Sequence, residues 1–475
     1  MSFKERDVIA AIASAHGQGA IGVIRLSGDG VLGVIEKVFR PRTSFESHRM
    51  YYGKICSASH EVIDEVMLCY MQSPRSFTCE NSVEIYAHGG VFVLGEVLRA
   101  VLENGARLAE PGEFTKRAFL NGRLNLSQAE AVMDLIGAKS GAARRAALRQ
   151  LGGGLSVRIE KLRDKILTWL AHIELSIDYP EHEDEARNAS EILSEGGEVI
   201  ASLKKLAETA SIGRVIREGV RTAIIGRPNV GKSTLLNAIL HENRAIVHET
   251  AGTTRDVLTE QVRMGDVPLV IMDTAGLRET SDPIEKIGIE KTHESAADAE
   301  LILYVVDSTQ GFAEEDREIL ERYGGREVIV LMNKSDLGAL PLFPDCSVVG
   351  MSPRSLDGVP KCGNGALPLP SDHISISAKT GDGLERLYAL IHQKFLSGCG
   401  TGGETDIITR ERHRILLAQT LTHVENAMRQ LGDGVPEDLV SISLRSAYLA
   451  LGEILGVEIG DDIVDRIFEE FCLGK

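Results

Sequence analysis

The chain lacks a long apolar run, a paired cysteine motif and any excess of positive charge. No stretch reaches the about 18 apolar residues that a spanning helix needs, so no membrane segment is expected. The seven cysteines, Cys56, Cys69, Cys79, Cys346, Cys362, Cys399 and Cys472, are odd in number and form no CxxC pair. A disulfide framework or structural zinc site is therefore not expected, and a reducing cytoplasm fits. The net charge of −17 argues against broad, non-specific nucleic-acid binding, which needs a basic surface, though a local basic patch remains compatible with it. Val8 to Ala15, preceded by Lys4 and Arg6, has the outline of a signal peptide. Asp7 interrupts its start and the apolar run is only about eight residues, so it reads as a strand.

What is present is an ordinary globular composition, 43% hydrophobic and 25% charged, in 475 residues. That length exceeds a single core and implies roughly two to four domains. Residues 1–122 mix β-branched runs, with strands expected at Ile21 to Leu26 and Val83 to Tyr86, and a helix from Gly90 to Asn104 stopped by Gly105. This segment reads as a compact α/β domain. Near residue 123 the pattern turns helical. Ser127 and Glu130 have capping-box spacing, and Ala131, Leu135, Ala138, Ala142, Ala146 and Leu151 follow at helical intervals. A second helix is expected from Leu155 to Ile177, ended by Tyr179-Pro180, and a third from Ala189 to Ile212. The acidic stretch Glu181 to Glu185 reads as a solvated loop.

From Thr222 strands and helices alternate as in a doubly wound sheet. Strands are expected at Arg221–Ile225, Val267–Asp273, Leu301–Asp307, Glu327–Asn333 and His373–Ile376. Between the last two lies Leu337 to Asp372, a surface insertion holding six of the 14 prolines. Helical periodicity returns from Ile407. The expected plan is thus residues 1–122 as an α/β domain, 123–215 and 398–475 as the two parts of one helical domain, and 216–397 as a nucleotide domain inserted between them.

The inserted segment carries the chemistry. Gly226-Arg227-Pro228-Asn229-Val230-Gly231-Lys232-Ser233 matches GxxxxGK[ST] between the apolar strand Ala223-Ile224-Ile225 and the helical run Leu235-Leu236-Asn237-Ala238-Ile239. Such a loop closes backbone N–H groups around phosphate oxygens at a helix N-terminus. Lys232 would reach the β- and γ-phosphates, and the Ser233 hydroxyl would bind Mg²⁺. Asp273-Thr274-Ala275-Gly276 ends another apolar strand. It places Asp273 to hold Mg²⁺ through water and the Gly276 N–H to sense the γ-phosphate. Asn333-Lys334-Ser335-Asp336 ends a third. The Asp336 carboxylate accepts from guanine N1–H and N2–H₂, a donor pair adenine lacks, so GTP is favoured over ATP. Ser377-Ala378-Lys379 would meet the base O6 through backbone N–H. Together, in order and at strand ends, these motifs specify a GTPase.

Gly252-Thr253-Thr254-Arg255-Asp256 resembles the first switch of GTPases in tRNA modification and ribosome assembly, with Thr254 as the Mg²⁺ threonine. Leu277 stands where Ras-like proteins carry a catalytic Gln, so another group must orient the water. The whole chain resembles the MnmE (TrmE) family of tRNA uridine-34 modification GTPases. The resemblance runs through Ser76-Phe77-Thr78 with Glu80, His88-Gly89-Gly90, Pro111-Gly112-Glu113-Phe114, Arg117 to Asn121, Leu126 to Ala131, the guanine motifs, and Cys472-Leu473-Gly474-Lys475 at the carboxyl end.

The resemblance implies nucleotide contacts at Asn229, Val230, Gly231, Lys232, Ser233 and Thr234, and along His248, Glu249, Thr250, Ala251, Gly252, Thr253 and Thr254. It implies a K⁺ site of Asn229, His248, Thr250 and Thr253, ordered when nucleotide domains pair across a homodimer. It implies Glu285 as the catalytic residue that activates water through a second water. It also implies a folate-binding amino-terminal domain, with Arg25, Glu80, Arg123 and Lys475 contacting 5-formyltetrahydrofolate or methylenetetrahydrofolate. A partner flavoprotein, MnmG, would complete a heterotetramer acting on tRNA, with no membrane involved. Gln18, Ala20, Cys79, Asn81 and His248 depart from the usual family residues. Cys472 reads equally as a small buried hydrophobe or as an exposed thiol. The alternative is a ribosome-assembly GTPase without modification activity. It would share the phosphate loop and first switch but need neither an amino-terminal folate-like domain nor the CxGK ending.

Overall fold

A computed structural model of the chain describes residues 7–15, 17–178, 189–242, 260–272, 298–323, 326–338, 373–396, 406–469, 471 and 474. The acidic stretch 181–185, the loop at His248 to Thr254, the Asp273 to Gly276 turn, Glu285, most of the proline-rich insertion, Cys472 and Lys475 lie outside the described residues. The described chain forms two compact units. One is residues 1–136, 148–204 and 415–475; the other is 137–147 and 205–414.

The first unit holds a seven-stranded sheet. Its strands are β1 (Ile9–Ile12), β2 (Ile21–Ser27), β3 (Phe39–Arg40), β4 (Arg49–Cys56), β5 (Val62–Met71), β6 (Ser82–His88) and β7 (Arg107–Leu108), in the order β3-β4-β5-β6-β2-β1-β7. All neighbours are antiparallel except β1 and β7. β2 is hydrophobic at every second position, so Ile24 and Leu26 share one face. They join Leu68 and Ile85 in a core closed by Val34, Ile35, Leu94, Val97 and Val101 from the helices Val31–Val38 and Val91–Glu103.

The helical part departs from expectation in two places. The periodicity through Ala138 does not make one helix, because the chain breaks between Leu126–Ile136 and Gly141–Leu151. Ser140 caps the second helix by accepting from the Ala143 N–H at 3.0 Å. The capping box at the first is Asn125 with Gln128, not Ser127 with Glu130. The Gln128 N–H donates to Asn125 Oδ1, and the Asn125 N–H donates back to Gln128 Oε1, each at 3.0 Å. Ser127 is buried inside the turn, 3.1 Å from Ser156 Oγ.

Helix Gly154–Asp178 then lays Leu155, Ile159, Leu162, Ile166, Trp169 and Ile173 on one buried stripe. It packs against helix Glu437–Leu455. Trp169 is fully buried and its Nε1–H donates to Glu195 at 2.8 Å. Helix Ala189–Glu218 outruns its expected end at Ile212. Gly213 does not stop it. A Cβ there would lie 1.9 Å from the Ile408 carbonyl oxygen, so the glycine admits a crossing backbone.

The second unit is a six-stranded sheet of β8 (Val220–Ile225), β9 (Glu260–Met264), β10 (Val267–Ile271), β11 (Leu301–Asp307), β12 (Glu327–Asn333) and β13 (His373–Ser375), ordered β13-β12-β11-β8-β10-β9. All pairs are parallel except β9 with β10, a hairpin strand the sequence reading did not anticipate. Side chains alternate between two buried faces. Ile224, Leu303, Val305, Ile329 and Leu331 meet one set of elements, and Ala223, Ile225, Tyr304, Val306 and Val330 meet another. β8 has β10 on one side and β11 on the other. The strand order therefore reverses there, and the carboxyl ends at that reversal form the crevice where open α/β sheets bind ligands. Among the described residues, no helix is long and apolar enough to cross a membrane.

Candidate nucleotide site

The loop after β8 has the geometry of a phosphate cradle. Gly226 sits at φ 153°, and a Cβ there would lie 2.2 Å from the Val305 carbonyl oxygen. Asn229 adopts the left-handed conformation at φ 61°, rare for a residue with a Cβ. Gly231 is left-handed too, at φ 96°, with Asn333 Nδ2 2.3 Å from where a Cβ would be. Helix Lys232–Glu242 starts immediately after, so its unpaired N–H groups open on the loop.

Lys232 is folded over this loop. Its ammonium donates to the carbonyls of Gly226 at 3.0 Å and Arg227 at 2.9 Å. Burial pushes its pKa down from the ordinary lysine value. A lysine held this way is a cation that exchanges carbonyl oxygens for the stronger phosphate oxygens. Ser233 follows in the first turn, a hard oxygen donor of the kind Mg²⁺ prefers, and Thr234 next to it.

The Asn333 to Asp336 segment is bound to this loop directly. Asn333 donates from Nδ2 to the Val230 carbonyl at 2.8 Å and accepts at Oδ1 from the Ala378 N–H at 2.9 Å. Lys334 is left-handed, and its ammonium donates to the Asn229 carbonyl at 2.8 Å and to Asp307 Oδ2 at 2.7 Å. Asp307, at the end of β11, also accepts from the Thr309 N–H and hydroxyl. Burial works to raise its pKa, but the hydrogen bonds from Lys334 and Thr309 outweigh it and hold the carboxyl below the ordinary range. Asp336 is exposed and accepts a hydrogen bond from the Ser377 hydroxyl at 2.8 Å. Lys379 is exposed in the following turn.

The structure thus brings together Asn229, Val230, Gly231, Lys232, Ser233, Thr234, Asn333, Lys334, Asp336, Ser377, Ala378 and Lys379 at the carboxyl ends of β8, β12 and β13. Asp307, which the sequence reading missed, belongs with them. Its only signal was its place at the end of an apolar strand one residue before a Ser-Thr pair.

A second constellation lies in the first unit. The Arg25 guanidinium pairs with Glu84 at 2.8 Å and lies 5.7 Å from the centre of the Phe77 ring. Arg123 stands 5.1 Å from the same ring and donates to the Ser76 carbonyl at 2.6 Å. Phe77 therefore carries two guanidinium neighbours. Glu80 accepts from the Ser27 hydroxyl at 2.8 Å and from Arg117 at 3.1 Å. Arg117 also bonds Asp7 and Glu113, and Arg107 joins both carboxylates. Of the four residues expected here, Arg25, Glu80 and Arg123 fall around Phe77 and Thr78, and Lys475 is outside the described residues.

Comparison with known proteins decides the family. The family described as "GTP-binding protein TrmE N-terminus" matches residues 8–123, and "MnmE helical domain" matches residues 126–472. The tRNA modification GTPase MnmE of Finegoldia magna is 43% identical over 99% of this chain and 100% of that one. The protein of the same name from Listeria innocua is 44% identical over 99% and 100%. This chain belongs to the MnmE family. It is a GTP hydrolase of tRNA modification, a multidomain protein of α/β and helical parts. Among solved structures, Aquifex aeolicus Era bound to GDP and aluminium fluoride matches at 25% identity over 43% of this chain and 66% of that one, with a TM-score of 0.25. An MnmE-family GTPase binds GTP and GDP, and the loop after β8 and the Asn333 to Asp336 segment lie together at the carboxyl ends of the second sheet.

Proposed function

We propose that this MnmE-family enzyme couples K⁺-dependent GTP hydrolysis, in a homodimer, to modification of carbon 5 of the wobble uridine of certain tRNAs. In this reading the flavoprotein MnmG is the partner, in a heterotetramer. The product is an aminomethyl or carboxymethylaminomethyl group, and its carbon comes from 5-formyl- or 5,10-methylene-tetrahydrofolate. Residues 1–122 are the dimerisation and folate domain, 123–215 with 398–475 the helical domain, and 216–397 the G domain. The enzyme works in the cytoplasm.

The observation that carries the folate half is the pair of guanidiniums about Phe77. A flat heteroaromatic ring stacks on Phe77, and an anionic glutamate tail is met by Arg25 or Arg123. Glu80 is a carboxylate of suitable chemistry for a pterin N–H edge, and Arg117 pairs with it at 3.1 Å and holds it in place. Lys475 is assigned as the fourth contact from the carboxyl end.

For hydrolysis, the loop N–H groups and Lys232 hold the triphosphate, and Ser233 with Thr254 supplies oxygens for Mg²⁺, as Asp273 does through water. Thr274, Ala275 and the Gly276 N–H follow the γ-phosphate. The Asn229 carbonyl is taken by Lys334, so its exposed amide oxygen is what this residue offers a K⁺. His248, Thr250 and Thr253 complete that site, with Glu249, Ala251 and Gly252 lining the nucleotide between them. Mg²⁺ and K⁺, when bound, add positive charge against the charge that develops on the phosphates. Glu285 takes the proton of the attacking water through a second water.

Folate titration tests the first half. Arg25→Ala and Arg123→Ala are each expected to weaken 5-formyltetrahydrofolate binding by at least about tenfold, the worth of a charge-assisted hydrogen bond, while GTP hydrolysis continues. Unchanged folate binding in both variants would remove folate from the reading. Wobble-uridine modification measured in cells lacking the protein separates a modification enzyme from a ribosome-assembly GTPase.

A further inference from the structure

Arg227, the second residue of the phosphate loop, is committed to partners away from the Lys232 ammonium. Its guanidinium makes an ion pair with Asp316, Nε lying 3.0 Å from Oδ1 without the alignment of a hydrogen bond, and its Nη2 donates to the Gly311 carbonyl at 3.1 Å. Asp316 is fully buried. The hydroxyl of Tyr304, itself fully buried on β11, donates to Oδ1 at 2.8 Å, and the Ala313 N–H donates to Oδ2 at 2.8 Å. The Arg227 carbonyl, meanwhile, is one of the two that receive Lys232. The peptide at 227 is therefore gripped from both sides, by its side chain and by its oxygen.

We propose that Asp316 is a positioning residue for nucleotide binding, acting through Arg227 to hold the phosphate loop in its cradle conformation. The loop is fastened at three places: at Arg227 by Asp316 and Gly311, at Asn229 by Lys334, and at Val230 by Asn333. Asn229 occupies left-handed backbone, which a residue with a Cβ seldom adopts unless its surroundings hold it there. Fastening lowers the ordering cost that phosphate binding otherwise bears. Asp316 is enclosed by Arg227, Tyr304 and Ala313, so it reaches a nucleotide only through the loop. Its effect is therefore common to GDP, GTP and the transition state, and it appears in affinity and not in turnover.

The test uses the full-length protein with Asp316→Asn, Arg227→Lys and the double variant. Affinities for GDP and a non-hydrolysable GTP analogue are read by displacement of a fluorescent nucleotide, beside steady-state hydrolysis and a thermal melt. Each single variant is expected to weaken both nucleotides in parallel by roughly five- to twentyfold, with kcat within about twofold of the parent. The double variant should be no weaker than the weaker single, since both break one link. Should Asp316→Asn fail to fold, Arg227→Lys decides alone, because it keeps a cation beside the buried Asp316 carboxylate and removes only the planar guanidinium. Affinities within about twofold of the parent in Arg227→Lys would make the pair a strut of the fold only. A fall in kcat at unchanged affinity would place it in the chemical step, and either result overturns the proposal.

Discussion

Asn333 joins the two halves of the nucleotide site, donating to the Val230 carbonyl at 2.8 Å and accepting from the Ala378 N–H at 2.9 Å. One buried amide thus sets the distance between the phosphate loop and the base-reading turn. Asn333→Ala leaves a buried carbonyl and a buried N–H unmatched, at a cost of about 1–3 kcal/mol each. Affinity for GDP and GTP is expected to drop together by at least about tenfold, the equivalent of one such loss. Equilibrium titration checks this. Intact binding of both nucleotides would show that the bridge is dispensable.

On the proposed reading, Asp336 sets the choice of base. Asp336→Asn replaces an acceptor with an amide that also donates, which suits a purine carrying an oxygen at C2. GTP binding is expected to weaken by about 100-fold or more, xanthosine triphosphate to gain, and ATP to stay weak. Competition between the three nucleotides reads the outcome. A variant that still prefers GTP refutes the assignment.

Glu285→Gln removes a proton acceptor and keeps the shape. On the proposed mechanism kcat drops by about 10²–10⁴ while the affinity for a non-hydrolysable GTP analogue is unchanged. Replacing K⁺ by Na⁺ is expected to slow hydrolysis in the parent protein with Mg²⁺ held constant. Normal turnover of the Gln variant would remove Glu285 from the chemistry.

Acid should loosen the amino-terminal sheet. Burial raises the pKa of Glu113, but hydrogen bonds from Arg107 and the Glu110 N–H, with the charge of Arg117, reverse this and leave it below the ordinary glutamate value. Asp7 behaves alike, with Arg107 and Arg117 overcoming its burial. Carboxyls depressed in the folded state contribute stability above their unfolded values, about 4, and lose it as pH falls through the folded ones. The melting temperature is expected to hold between about pH 7 and 5 and to drop steeply below about 4. Arg107→Gln should lower the plateau and make the acid fall shallower. An unchanged acid slope in that variant would show that these pairs do not govern it.

Much of this was legible in the residues because the signals are local. The strands Leu301–Asp307 and Glu327–Asn333 were expected with the bounds observed, since each is an apolar run ended by a functional polar residue. Asn333, Lys334 and Asp336 are read from one tetrapeptide. What escaped depends on partners far along the chain. Asp307 matters because Lys334 reaches it, and Arg227 because Asp316 lies 89 positions later. Periodicity ended the third helix at Ile212, whereas the helix runs on to Glu218 and Gly213 seats a crossing backbone. It also ran the helix through residues 137–140, where Ser140 instead begins a new one.

The single tryptophan gives the molecule a built-in reporter. Trp169 is sealed in the helical core with its indole N–H on Glu195, in the unit that does not contain the phosphate loop. Its emission follows melting of that one compact body. Compared with circular dichroism, which sums over the whole chain, it tells whether the nucleotide-holding body comes apart at the same denaturant concentration or at its own.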